Sequence, residues 1–280
     1  MSDFVSVVML TMNRPQYVDS AIRSVVAQDH AHWELIVVQD GPDARIAPRM
    51  QPWLESDARI RFYRREQIGN IANGMNFAIQ RSRGDLIAVL DDDDAWISPK
   101  KLSVQIDALR NHPELLAIGG GAIVIDAEGR ESMRYSRALE PARCARRALL
   151  ANPLIHSTTM FRRSAWLQAG GYDESLPGYQ DWDLFLKIMR IGKVGNLPQP
   201  LATYRVWDGG GTSRKVLGNA WSSLRITWRH RSYFPHGVTA VTASAAYVLF
   251  ALLPNAIRRR FYQGLSRFKK SLFSTATPFS

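Results

Sequence analysis

The first hundred residues switch repeatedly between two hydrophobic periods. Residues 5–10 (VSVVML) are apolar at every position but one, which suits a short strand buried on both faces. Over 16–28 the apolar positions Ile22, Val25 and Val26 recur at a spacing of three to four, one face of a helix. Residues 34–38 read as a second strand and 60–63 as a short third. A helix is expected near 70–82, and residues 86–90 return to a continuous apolar run. Pro99 stands at a typical first helical position, opening a helix to about Asn111. Strands separated by helices in this way imply a parallel sheet with crossover helices on both faces.

From Leu115 the pattern changes. Residues 115–125 contain three consecutive glycines and run into Asp126-Ala-Glu-Gly129, a turn signal that makes the segment to Arg134 an antiparallel hairpin. Residues 157–161 read as a strand, 163–169 as a short helix, and 181–190 as a helix carrying Leu184, Phe185 and Ile188. Another helix is expected over 214–231, with Trp221, Leu224 and Trp228 on one side. Residues 238–253 follow, sixteen positions without a charge. That is short of the ~20 needed to span a bilayer, so a buried or interfacial segment is expected.

Composition sharpens two points. The single cysteine, Cys144, excludes an internal disulfide and fits a reducing compartment. The first residues lack a basic n-region, and 5–10 is too short for a signal h-region, so a cytoplasmic protein is expected. Net charge is +11, yet no acidic residue follows Asp208, while eleven Lys and Arg do. The positive excess therefore lies wholly beyond residue 208, in a basic, partly apolar tail expected to meet something anionic. Because the clusters at 258–260, 267 and 269–270 follow an apolar stretch, the cytoplasmic face of a membrane fits better than nucleic acid, for which no recognition motif is present. The chain thus divides into a domain over 1–208, with halves 1–114 and 115–208, and a helical tail over 209–280.

The chemistry gathers where the apolar run 86–90 meets Asp91, Asp92, Asp93 and Asp94. Four adjacent carboxylates repel one another, and a divalent cation with a preference for oxygen ligands would reverse that. Their place, at the C-terminal end of a buried strand, is where open α/β sheets hold ligands. A solvated acidic turn is the plain alternative.

Five segments carry a resemblance: Leu10-Thr-Met-Asn-Arg-Pro15, Ser24-Val-Val-Ala-Gln28, Glu34-Leu-Ile-Val-Val-Gln-Asp-Gly41, Gly69-Asn-Ile-Ala-Asn-Gly-Met-Asn76 and Gly84-Asp-Leu-Ile-Ala-Val-Leu-Asp-Asp-Asp-Asp94. In this order and spacing they resemble the family 2 glycosyltransferases over about residues 4–208. That resemblance implies the GT-A fold, a Rossmann-like, mostly parallel sheet with helices on both faces. It also implies metal-dependent, inverting transfer of a sugar from a nucleotide diphosphate, most often of the UDP type. The acceptor would be a hydroxyl of a glycan or lipid-linked molecule, as in cell-surface polysaccharide synthesis, and the cation Mn²⁺ or Mg²⁺.

By the same resemblance Asp40 accepts a hydrogen bond from the nucleotide base, while Thr11 and Asn13 line the nucleotide pocket. Asp91 and Asp93 match the family's DxD pair. Asp93 is then the direct metal ligand, and Asp91 or Asp92 meets the ribose; a slip of one would make Asp94 the ligand. Downstream, Gly170-Gly-Tyr-Asp-Glu174 and Gln180-Asp-Trp-Asp183 make Asp181 the general base, although an Asp there could also cap its helix. Asp173 and Glu174 fall on the acceptor side, as does His156, for which a structural role is equally open. Gly209–Gly211 with Thr212, Ser213 and Arg214 would form a lid over the nucleotide.

Gln39, Gln180 and Trp207 depart from the family pattern, which often has acids at the first two positions and His at the third. They leave open a nucleotide-sugar-binding scaffold without catalysis. A sugar nucleotidyltransferase is the remaining alternative, but residues 11–15 lack its Gly-rich basic loop.

Overall fold

A computed structural model describes residues 3–66, 69–206, 216–254 and 258. Its first half is built from β1 (Val5–Thr11), α1 (Pro15–Val26), β2 (Trp33–Asp40), α2 (Ile46–Ser56), β3 (Ile60–Arg65), α3 (Ile71–Gln80), β4 (Leu86–Val89) and α4 (Lys101–Asn111). The second half adds β5 (Leu115–Ile125), β6 (Glu131–Tyr135), α5 (Pro141–Arg147), a 3₁₀ turn over His156–Thr158, β7 (Met160–Arg162), α6 (Arg163–Gln168), α7 (Gln180–Met189) and β8 (Lys193–Arg205). Two further helices, α8 (Val216–His230) and α9 (Gly237–Leu252), end the described chain.

The strands form one sheet in the order β3-β2-β1-β4-β7-β5-β6, with β8 also paired to β5. β3, β2, β1 and β4 run parallel, as the alternation of strands and helices requires. β7 then pairs antiparallel to both β4 and β5, and β5 and β6 make the expected hairpin. The period-two alternation of β1 and β2 decides the layers. Val5, Val7, Met9, Leu35 and Val37 face α1, α2 and α4. Val8, Ile36 and Val38 face α3, α6 and α7. Helices therefore cover both faces of the sheet.

Three departures from the sequence pattern have local causes. Residues 157–159 are a 3₁₀ turn and loop, so the strand begins only at Met160; Thr158 and Thr159 return their hydroxyls to the Ile155 carbonyl at 2.8 Å, which competes with extended pairing. α2 carries Pro48 at its start and Pro52 inside it, which hide its helical period. β8 contains Pro198 and Pro200, and its pairing with β5 breaks register around them, as prolines in a strand demand.

The strands deliver the loops. Gly84 lets the chain enter β4 against β1, since a Cβ there would sit 2.6 Å from the Ser6 amide nitrogen. The C-terminal ends of β1, β2 and β4 then bring together Thr11–Arg14, Asp40 and Asp91–Asp94.

Candidate active site

The four aspartates do four different things. Asp91 faces His156, whose Nδ1 lies 3.0 Å from its Oδ1, and its Oδ2 accepts from the Ser157 hydroxyl at 3.2 Å. Asp92 is fully buried and meets the Arg14 guanidinium. Asp93 takes the other arm of the same guanidinium. Asp94 is buried beneath the loop, accepts the Arg205 amide at 2.8 Å and bonds the Ser157 hydroxyl.

Charge is correspondingly uneven. Burial opposes ionisation of Asp91, but the His156 charge and hydrogen bond outweigh it and hold the carboxyl below its ordinary value. Burial pushes Asp92 up to about 7 in spite of Arg14, with Asp93 and Asp91 adding repulsion. Burial and the same neighbours raise Asp94 well above the usual range. His156 answers in kind: burial lowers its proton affinity, but Asp91 lifts it to about 9, so it is an imidazolium at neutral pH. Its Nε2 then donates to the Tyr172 hydroxyl at 3.0 Å.

This arrangement fits a divalent cation. Four carboxylates there face two basic partners, Arg14 and His156, and the donors are hard carboxylate oxygens of the kind Mn²⁺ and Mg²⁺ take. Among the described residues no group of three or more His, Cys, Asp or Glu is placed to hold a metal unaided. The chain offers a partial shell that a diphosphate would complete.

Around this centre Asp40 ends β2, with its Oδ2 accepting the Gly69 amide at 2.9 Å and Arg65 Nε 3.5 Å from Oδ1. Gln39 donates to the Gly41 and Asp43 carbonyls, both at 2.8 Å; it shapes the turn after β2. Thr11 is fully buried at the end of β1, and Asn13 adopts a left-handed φ of 58° that turns the chain into α1.

Asp181 stands in the first turn of α7 but is not its cap. That position belongs to Tyr179, whose φ of 56° is a costly conformation for a bulky residue and turns the chain sharply before Gln180-Asp181. The Asp181 carboxylate instead accepts from Asn152 Nδ2 at 2.6 Å. Its charge acts on His156 and Tyr172 together with that of Asp91, so the base candidate and the Asp cluster share one region.

Asp173, Glu174 and His156 have partners that their sequence context did not announce. Glu174 accepts from Asn73 and Asn76 at 2.6 and 2.8 Å, tying its loop to α3. Asn76 also exchanges two hydrogen bonds with the Tyr172 backbone. Asp173 pairs with Arg229 at 2.8 Å, and His156 lies against the Asp cluster. Arg14, Asn152 and Ser157 were not singled out by pattern. Trp207 and residues 209–214, the expected lid, lie outside the described residues.

Asp183, fully buried in α7, binds Arg229 at 2.9 Å, Lys187 at 2.8 Å and His230 at 3.1 Å. Burial opposes its charge, but these partners hold it below its ordinary value of 3.8; Arg229 and Ser175 similarly hold Asp173 down at about 2 against its own burial. Depressed carboxylates stabilise the fold above their unfolded value and lose that contribution as pH falls. Stability should therefore drop between about pH 4 and 2, and Asp183→Ala, which leaves Arg229 and Lys187 short of their counter-charge, should cost ~3 kcal/mol at pH 7 and flatten that acid limb. Urea unfolding across pH measures both.

Comparison with known proteins identifies the family and the fold. The description of Glycosyl transferase family 2 matches residues 6–168. The chain belongs to that family. It is 29% identical over 209 residues to the O-antigen biosynthesis glycosyltransferase WbnJ of Escherichia coli, covering 73% of this chain and 80% of that one. It is 25% identical over 193 residues to the amylovoran biosynthesis glycosyltransferase AmsE of Erwinia amylovora, covering 69% and 71%. Among solved structures, this glycosyltransferase is similar to S. aureus TarS 1–349 in complex with UDP-GlcNAc, with TM-score 0.69 at 14% identity, covering 96% of this chain and 81% of that one. It is also similar to the mannosyltransferase PcManGT from Pyrobaculum calidifontis in complex with GDP-Man and Mn²⁺, with TM-score 0.65 at 14% identity, covering 96% and 82%. The GT-A fold is thereby shown.

Proposed function

We propose that this family 2 glycosyltransferase transfers a sugar, with inversion, from a nucleotide-diphosphate donor to a hydroxyl of a glycan or lipid-linked acceptor in the synthesis of a cell-surface polysaccharide. The observation that carries it is the pairing of two separate carboxylate centres, the Asp91–Asp94 cluster and Asp181, in one region. The relatives named for O-antigen and amylovoran synthesis support the polysaccharide setting.

The donor's base meets Asp40, in the pocket that Thr11 and Asn13 border, and its ribose meets Asp91. Asp92, buried under Arg14, supports that contact from behind. Asp93, with Asp91, is the candidate holder of Mn²⁺ or Mg²⁺; when bound, that cation neutralises negative charge on the departing diphosphate. Asp94 is committed to Arg205 and Ser157, so the one-residue slip is disfavoured. His156, an imidazolium against Asp91, adds positive charge on the leaving-group side. Asp181 takes the proton of the attacking hydroxyl, and a single displacement from the face opposite the leaving group inverts the anomeric carbon. Asn152 orients the base.

The donor nucleotide is tested by a panel of UDP, GDP, CDP and dTDP with Mn²⁺. At a hundredfold excess over Kd, a cognate diphosphate stabilises the fold by ~2.7 kcal/mol, a clear rise in the melting temperature. UDP is expected to give the largest rise, and chelation of the metal should reduce it. No rise with any nucleotide would overturn the reading of a donor site.

A further inference from the structure

α8 has two faces with different neighbours. One is fastened to the elements that carry Asp181. Arg229 reaches Asp173 and Asp183, and the Ser222 hydroxyl accepts the Gly178 amide at 3.2 Å. Arg225 donates to the Ser175 carbonyl at 3.2 Å, and Gly178 lies so close to Asn219 that a Cβ would clash. The other face carries Leu217, Trp221, Leu224 and Trp228 at helical spacing, with Trp221 49% and Trp228 56% exposed.

α9 extends this surface. It has no charged residue and packs on α8 through Ala240, Ser244, Val248 and Ala251, with Ser223 and Ser244 hydroxyls 2.9 Å apart. Val238 remains 82% and Leu249 68% exposed. Large apolar side chains left in water on two adjoining helices mark an interaction surface.

We infer that the α8–α9 hairpin docks on an anionic lipid bilayer and, through the ties of α8 to residues 173–178, holds the acceptor side of the site beside that bilayer. Charge selects this occupant. No Asp or Glu follows Asp208, and six Arg and Lys follow Pro254. The sequence after Asp208 is thus uniformly basic, which anionic headgroups complement and a second copy of the same segment does not. Length selects the mode. Sixteen residues at 1.5 Å each make a helix of about 24 Å, short of a ~30 Å hydrocarbon core, and no described helix is long and apolar enough to cross. Paired tryptophans suit the interfacial layer, where an apolar ring and a polar N–H are both accommodated. The inference rests on Asp181 as the acceptor-side base only for its orientation, so an acceptor carried on a lipid would reach Asp181 along this surface.

The test is flotation of the full chain with vesicles of phosphatidylcholine alone or with 30% phosphatidylglycerol. Strong binding to the anionic vesicles, reduced by salt, is expected. Trp221→Glu/Trp228→Glu should lower it at least tenfold while Mn²⁺-dependent UDP binding and the melting temperature stay unchanged. Should that variant fold poorly, Leu249→Gln/Leu252→Gln at two exposed positions serves instead. A fluorophore on Ser175→Cys should shift to the blue with anionic vesicles, and one on Gln51→Cys, on α2, should not. Equal flotation of variant and wild type, equal binding to both vesicle types, or a dimer that the tryptophan substitutions dissociate would overturn the docking. An unshifted Ser175 label with intact flotation would overturn the orientation alone. Because flotation needs neither donor nor Asp181, its outcome is separate from that of the proposed reaction.

Discussion

Asp181→Asn is expected to lower turnover at least a thousandfold while the affinity for the nucleotide-sugar changes less than twofold. A positioned general base contributes about 10²–10⁴ in rate, and few carboxylates here are free to supply it. Asp183 is locked among Lys187, Arg229 and His230, Asp173 pairs with Arg229, and Glu174 is held by two asparagines. Among the described residues Asp181 has Asn152 as its one side-chain hydrogen-bond partner, which leaves its second oxygen able to receive a proton. The Asn replacement keeps an oxygen for that hydrogen bond, so the loss should fall on kcat rather than on the fold. Near-normal turnover with a competent donor and acceptor would falsify the assignment. The scaffold alternative makes the opposite forecast, since a protein that only binds nucleotide-sugar has no turnover to lose.

Much of this was legible from the chain because the relevant forces are local. Strands β1, β2 and β4 are continuous apolar runs, and α1 and α3 show clean helical periods, so the parallel half and the placing of Asp40 and Asp91–Asp94 at strand ends follow from pattern. The four aspartates could be located but not told apart. Which of them is buried under Arg14, and which is capped by the Arg205 amide 111 residues later, depends on long-range packing that no spacing encodes. Asn152 is invisible for the same reason, since it meets Asp181 across 29 residues. β8 was missed because prolines break its alternation. For Asp181 the sequence left a helix cap open as a second role, and the structure removes it by giving the cap to Tyr179. For His156 the sequence left an acceptor-side role and a structural role open, and in the structure its Nδ1 lies 3.0 Å from Asp91.

Asp93→Asn should abolish the Mn²⁺-dependent part of nucleotide binding, and the reason lies in what distinguishes it from its neighbour. Both carboxylates sit in one loop after β4, yet Asp94 is 3% exposed and spends its oxygens on the Arg205 amide and Ser157. Asp93 pairs with the Arg14 guanidinium, a side chain that can move away. Removing a direct carboxylate ligand from a shell with so few protein donors should weaken UDP binding in the presence of Mn²⁺ by about a hundredfold, close to 2.7 kcal/mol. UDP binding in the presence of chelator, which rests on Asp40 and Asp91, should hardly change. Asp94→Asn should behave in the reverse way, lowering the melting temperature of the ligand-free protein while sparing most of the metal effect. Calorimetric titration of both variants with and without Mn²⁺ separates the two. If Asp94→Asn abolishes the metal dependence and Asp93→Asn keeps it, the ligand is Asp94 and the loop must rearrange on binding to release it from Arg205. That second outcome requires breaking two buried hydrogen bonds, each worth about 1 kcal/mol or more, whereas the first has Arg14 give up its place to a better cation.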